Sequence, residues 1–255
     1  MKIFEVKKLA NPFSQIPFYR SLIHSHLKSF RVVYKQTDLF VLAERDLTLE
    51  TLNLVREIRS PLEAYLMKNP TFLKSLEPLP EDEEAPPLVK TMLKAGKIAG
   101  VGPMASVAGA IAEAVGRSLL ERGLTKEVVV ENGGDIFLNL KREARVVLFA
   151  GASSFSGKIT LLIPEELQPC GVCTSSGKVG HSLSYGKADA VTVVHKDTAI
   201  ADALATALGN LLKTSQDFKD VFSKAKRLSG ILGVFAVMDE RLWLFSEKIK
   251  LLPLS

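Results

Sequence analysis

The chain has 255 residues, 47% of them hydrophobic, enough to bury a full core without disulfide or metal staples. Its 33 basic and 28 acidic residues leave a net charge of +5, and the basic residues are scattered. That pattern reads as a solvated surface and argues against a nucleic-acid patch, while a mildly positive field favours an anionic small molecule.

No stretch reaches the roughly 18 uncharged apolar residues of a membrane span. The opening residues, Met1 to Val6, carry charge where a secretory signal needs an apolar run. The expectation is a cytoplasmic protein with no membrane partner. The two cysteines, Cys170 and Cys173, are spaced C-x-x-C with no second pair, which excludes a four-cysteine zinc site. With a polar Thr174-Ser175-Ser176-Gly177 loop expected after them, they read as reduced structural thiols.

In chain order, residues 29–35 and 39–43 predict an antiparallel hairpin. His24 and His26 precede it and read as surface histidines. Helical spacing runs from Leu47 to Arg59. Ser60-Pro61-Leu62-Glu63 then looks like an N-cap, an N1 proline and a capping-box glutamate, predicting a second helix that ends near Asn69-Pro70. Residues 75–87, SLEPLPEDEEAPP, predict a solvated acidic, proline-rich loop excluded from the core.

Residues 104–121 predict a helix rich in Ala and Gly. Strands are expected at 127–131, 136–140, 145–150, 158–163 and 190–195, and a second Ala-rich helix at 198–213. A polar helix near 216–227 and strands at 231–238 and 241–246 close the chain. Strands and helices in no strict βαβ rhythm predict an α+β fold. The whole chain is taken as one domain of at most two subdomains, with the motifs in residues 100–210.

Four segments carry candidate chemistry. In the helix from Thr198, steps of four place Thr198, Asp202, Thr206 and Asn210 in one stripe, and Asp202 is the only charge between Asp197 and Lys213. A buried carboxylate needs a partner. Mg²⁺ would suit a carboxylate, a hydroxyl, a backbone carbonyl and phosphate oxygens. An ordinary cap or ion pair explains the stripe equally well. The segment 171–186 concentrates glycines and hydroxyls around Lys178 and His181. Its backbone N–H groups and hydroxyls can meet phosphates, and His181 can act as acid, base or ligand. Asn132-Gly133-Gly134-Asp135 by itself is a hairpin turn. Gly100-Val101-Gly102-Pro103-Met104 aims a helix N-terminus towards an anion but lacks the third glycine of a dinucleotide fingerprint.

Taken in order, these segments resemble the ApbE family, flavin transferases that move FMN from FAD onto protein threonines, and most of all an uncharacterised branch of that superfamily. The resemblance spans Gly100 to Asn210. Asn132-Gly133-Gly134-Asp135 is similar to the family's Asn-x-Gly-Gly-Asp turn and Thr174-Ser175-Ser176-Gly177 to its Thr-Ser-Gly loop. Ala201-Asp202-Ala203-Leu204-Ala205-Thr206 is similar to its metal-binding helix. The resemblance implies a T-fold architecture, largely antiparallel sheets with helices packed on one side. It implies Mg²⁺ held by Asp202 and Thr206 near the FAD pyrophosphate, and a catalytic role for His181. Cofactor contacts would come from Gly102, Met104, Gly109, Gly133, Gly134, Asp135, Thr174, Ser175, Ser176 and Gly177. The chain departs from the family at Ala108-Gly109, where the family has Lys-Gly, and at Glu113, where it has Asp. After His181 it lacks the family's Asp-Pro-x-Thr-Gly. Two other functions stay open: a flavin or small-ligand binding module without chemistry, and a homo-oligomeric scaffold whose stripe is an interface.

Overall fold

A computed structural model describes Arg20 and residues 25–176 and 186–253; His24, Gly177 and His181 lie outside them. The strands are β1 (Lys28–Tyr34), β2 (Thr37–Ala43), β3 (Val128–Asn132), β4 (Asp135–Asn139), β5 (Ala144–Leu148), β6 (Ile159–Ile163), β7 (Cys170–Ser175), β8 (Ala190–His195), β9 (Ile231–Met238), β10 (Arg241–Ser246) and β11 (Lys250–Pro253). The helices are α1 (Thr48–Lys68), α2 (Pro70–Lys74), α3 (Pro87–Ala99), α4 (Val107–Glu121), α5 (Thr198–Leu211) and α6 (Phe218–Lys226), with a 3-10 turn at Pro103–Ser106 leading into α4.

Eight strands form one sheet in the order β1-β2-β3-β4-β7-β8-β9-β10, and three form a second in the order β11-β6-β5. Neighbours pair antiparallel throughout. Side chains alternate across each strand. On one face of the large sheet Leu39, Val41, Val130, Phe137, Cys173 and Val193 join the helices in one core. On the other, Leu138, Val172, Val194 and Phe235 meet Leu148, Leu161 and Ile163 of the small sheet. The expected α+β fold, with antiparallel sheets and helices to one side, is the one observed. Among the described residues no single helix is long and apolar enough to cross a membrane.

The centre of the helical layer is α5, buried from Thr198 through Gly209. Small residues let it pack closely against both α4 and the sheet. A Cβ at Gly171 would lie 2.5 Å from Thr198 Cα, and one at Gly109 would lie 2.6 Å from the Thr198 carbonyl oxygen.

Three local expectations change. The break at Ser60 is absent, and α1 runs through Pro61 as one helix. Its buried stripe of Thr51, Leu54, Val55, Arg59 and Leu62 holds it to the core. Glu63 faces Arg59 one turn back and the Lys35 ammonium rather than capping an N-terminus. Arg59 also donates to Thr37 Oγ1 at 2.6 Å and Gln36 Oε1 at 2.9 Å. Those tertiary bonds outweigh one lost helical hydrogen bond at proline. The acidic loop is irregular as expected, yet Ala85 is buried in the core, and Tyr65 donates to Asp82 Oδ2 at 2.8 Å. Residues 170–175, expected to lead into a polar loop, form β7 instead, paired on both sides with β4 and β8. The sequence reading also passed over α3 and β11.

Candidate functional site

The site lies where α5 crosses the β3–β4 hairpin and β7. Asp197 starts α5 by accepting the Ile200 N–H at 3.0 Å. Glu113 Oε2 accepts the Thr198 N–H at 2.6 Å, placing negative charge at the positive end of the helix. Asp202 follows one turn later. Its Oδ2 accepts the Gly109 N–H at 2.9 Å, and the Ala108 N–H also donates to it. A side chain at Gly109 would come within 2.9 Å of Asp202 Cβ, so this backbone contact requires glycine.

Asp135 comes from the opposite side. Gly133 and Gly134 take φ of +67° and +104°, as a two-residue type I′ turn needs. The turn pairs Asn132 with Asp135 at the end of the ladder. Asn132 Nδ2 donates to Ala108 O at 3.0 Å, tying the hairpin to the residues that hold Asp202. Asp135 stands opposite Cys173 in register. The Thr174 N–H donates to it, and the Cys173 thiol beside it donates to Thr198 O at 3.4 Å.

Two buried carboxylates therefore lie close enough to act on each other. Burial, then the Asp202 charge, pushes the Asp135 carboxyl well above the usual range. Burial raises Asp202 to about 7, even with the Gly109 and Ala108 amides pulling it down. Burial and the same two carboxylates push the Cys173 thiol up. Cys170 is raised to about 12 by burial in the other core. The two cysteines are free and buried, and lie on opposite faces of β7, so they cannot pair.

Thr206 lies one turn beyond Asp202, and each is 9% exposed. Ser175 lies two residues beyond Cys173 on the helix-facing side of β7. Its buried Oγ has no hydrogen-bond partner among the described residues. The Thr174 side chain points the other way and bonds Thr192 Oγ1 at 2.8 Å, so only its backbone reaches Asp135. Ser176 ends the described part of this segment. Gly102 serves packing: its N–H donates to Leu76 O at 2.9 Å, and a Cβ there would collide with Ser75 O. Met104 is half-buried against the helical core. Thr198, at the head of the stripe, is fully buried.

The structure thus gathers Gly109, Gly133, Gly134, Asp135, Ser175, Asp202 and Thr206, and leaves Gly102 and the Thr174 hydroxyl facing elsewhere. Sequence reasoning missed Cys173 and Asn132 as partners of the carboxylates. Reading 170–175 as a strand would have shown Cys173 and Ser175 on one face. Among the described residues no cluster of three or more His, Cys, Asp or Glu side chains could hold a metal ion. The donors available to a hard cation here are two carboxylates completed by hydroxyl and backbone oxygens, a set of suitable chemistry. A separate groove of about 610 Å³ opens beside α4, lined by Pro61, Pro87, Ala110, Ala114 and Arg117 but not by Asp202 or Asp135.

The chain is 39% identical over 217 residues to the UPF0280 protein MJ1526 of Methanocaldococcus jannaschii, covering 83% of this chain and 87% of that one. It is 43% identical over 205 residues to a UPF0280 protein of Methanococcus aeolicus, covering 79% and 81%. Among solved structures, the Pseudomonas stutzeri flavinyl transferase ApbE matches with a TM-score of 0.56 at 17% identity, over 87% of this chain and 94% of that one. The ApbE protein of Thermotoga maritima matches at 0.53 and 10%, over 88% and 97%. These two likenesses are of fold. A family model described as AbpE bacteria matches residues 20–229. The chain belongs to that family, within the ApbE-like superfamily.

Proposed function

We propose that this protein binds Mg²⁺ and FAD, or a related nucleotide, at Asp202, and that it cleaves or transfers at the pyrophosphate in the manner of a flavin transferase. The observation that carries the reading is the pair of buried carboxylates, Asp135 and Asp202, with Thr206 one turn along α5 and the Ser175 hydroxyl, which has no partner among the described residues. Two buried carboxylates this close ionise together only with a positive counterpart between them. The names of the structural neighbours, flavin transferases, support the choice of a flavin nucleotide.

In this reading Asp202 and Thr206 hold the ion, and Asp135 contributes the second negative charge. The chemistry Mg²⁺ supplies when bound is neutralisation of phosphate charge. Gly109 fixes the Asp202 carboxylate through its amide, and Ser175 offers its hydroxyl to a phosphate oxygen. His181 accepts the proton of the attacking hydroxyl. That oxygen bonds to the flavin-side phosphorus, the bridging P–O bond breaks, and AMP leaves. Incubation with FAD and Mg²⁺, followed by chromatography for AMP and FMN, tests the reading. Turnover abolished by D202N supports it, and none across flavin and adenine nucleotides contradicts it. A second reading, ligand binding without chemistry, is favoured by Ala108 at the family's lysine position. It calls for ligand-dependent stabilisation without AMP release.

A further inference from the structure

We infer that Glu131, anchored by Arg20, is a positioning residue that holds the Gly133-Gly134 turn and through it both carboxylates of the site. Strand alternation puts Glu131 on the face of β3 away from the helices, so it cannot touch a ligand at Asp202 directly. Its reach is through the backbone. Glu131 Oε1 accepts the Gly134 N–H at 2.8 Å. In a two-residue hairpin the amide of the second turn residue lies outside the strand ladder, so a side-chain acceptor decides how firmly it is held.

The other carboxylate oxygen is occupied as well. Arg20 Nε donates to Glu131 Oε2 at 2.6 Å. Arg20 is itself buried, 4% exposed, and donates to Asp38 Oδ1 and Asp38 O, both at 2.8 Å. Arg31 binds the same Asp38 carboxylate through two further bonds of 2.8 Å. The guanidinium lies 5.7 Å from the centre of the Phe40 ring. Glu131 is thus fixed from below by a fork that is itself fixed.

From the turn the linkage runs inward. Asn132 grips Ala108 O, and the Ala108 and Gly109 amides hold Asp202. Asp135 leaves the turn directly. Arg20, far from the motif region in sequence, becomes part of the site's support. Outer-shell partners of metal ligands typically contribute tenfold to hundredfold in metal affinity.

This inference rests on the metal reading for its functional consequence, so two readouts are needed. The first is Mn²⁺ affinity, by electron paramagnetic resonance, for the full chain and the variants E131A, E131Q and F218L. The second is amide exchange at Gly134 in protein labelled with ¹⁵N-glycine, which needs no metal. E131A is expected to speed Gly134 exchange at least tenfold and to weaken Mn²⁺ binding at least tenfold. E131Q keeps an oxygen for Gly134 and is expected to stay within threefold of the parent affinity. F218L lowers the melting temperature through packing on Trp243 of β10, at the far edge of the sheet from the turn, and is expected to leave the affinity unchanged. Unchanged Gly134 exchange in E131A overturns the inference, as does Mn²⁺ affinity within twofold of the parent. If the parent binds no Mn²⁺, the metal reading falls, while the exchange experiment still decides the positioning role. Should E131A not fold, R20Q carries both measurements, with the same changes expected and unchanged values again overturning the inference.

Discussion

Replacing Asp202 by Asn separates a buried functional carboxylate from a stabilising one. Asn is nearly the same size and keeps an oxygen for the Gly109 N–H, but it carries no charge. The folded protein raises the Asp202 carboxyl from 3.8 to about 7. A raised folded value means the native state binds more protons than the unfolded chain between those limits. The associated stability is therefore complete below pH ~4 and is lost as pH rises through ~7. About 3 units correspond to roughly 4 kcal/mol above neutrality, an upper bound once side-chain relaxation and water entry are allowed for. At pH 8 in EDTA, D202N should be more stable than the parent by about 2–4 kcal/mol. For a chain of this size that is ~5–15 °C in melting temperature. The gap should shrink steadily towards pH 4.5, where the parent carboxyl is protonated. Thermal melts of both proteins across this range provide the assay. A variant that melts at or below the parent at pH 8, or a gap insensitive to pH, refutes the reasoning.

Gly109→Ala forces a Cβ to 2.6 Å from the Thr198 carbonyl oxygen and should cost about 1–3 kcal/mol, seen as a lower urea midpoint; an unchanged midpoint would mean α4 and α5 are not this close. Pro61→Ala restores a hydrogen-bond donor inside α1 and should stabilise by about 1 kcal/mol or more. A loss of stability would argue for a helix break at Ser60. Cys170 and Cys173, buried with raised thiols, should resist an aromatic disulfide reagent in the folded protein and react within minutes in denaturant. Fast labelling of the native protein would contradict their placement on β7.

Much of this architecture was legible in the sequence because its signals are local. The β9 and β10 strands fall at the expected 231–238 and 241–246, where apolar runs flank the positive-φ Asp239 and Glu240. The Asn132 to Asp135 turn follows from Gly-Gly chemistry alone. The Ala-rich texture around Asp202 marks a helix, and α5 spans Thr198–Leu211 within the expected 198–213. What failed depended on distant partners. The helix start at Ser60 obeys local capping rules, but Arg59 and Glu63 are used by Thr37, Gln36 and Lys35 of the first hairpin. The β7 strand was hidden because Gly171 and Ser175 are poor strand formers and Thr174 sits in a run of hydroxyls and glycine that reads as a loop. They are tolerated there because Gly171 admits Thr198 and because Thr174 bonds Thr192 across the strands. No local signal pairs the two carboxylates, since Asp135 and Asp202 are 67 residues apart and meet only through the crossing of α5 over the hairpin; the family resemblance alone put both at one site.

The central claim, a cation held at Asp202, is tested most directly by titrating the EDTA-stripped protein with Mn²⁺ at pH 7.5 and counting bound ions by electron paramagnetic resonance. The account predicts a site whose affinity falls at least tenfold in D202N, falls measurably in T206V, and is competed by Mg²⁺. Equal Mn²⁺ binding by the parent and D202N, or no binding by the parent, would contradict it.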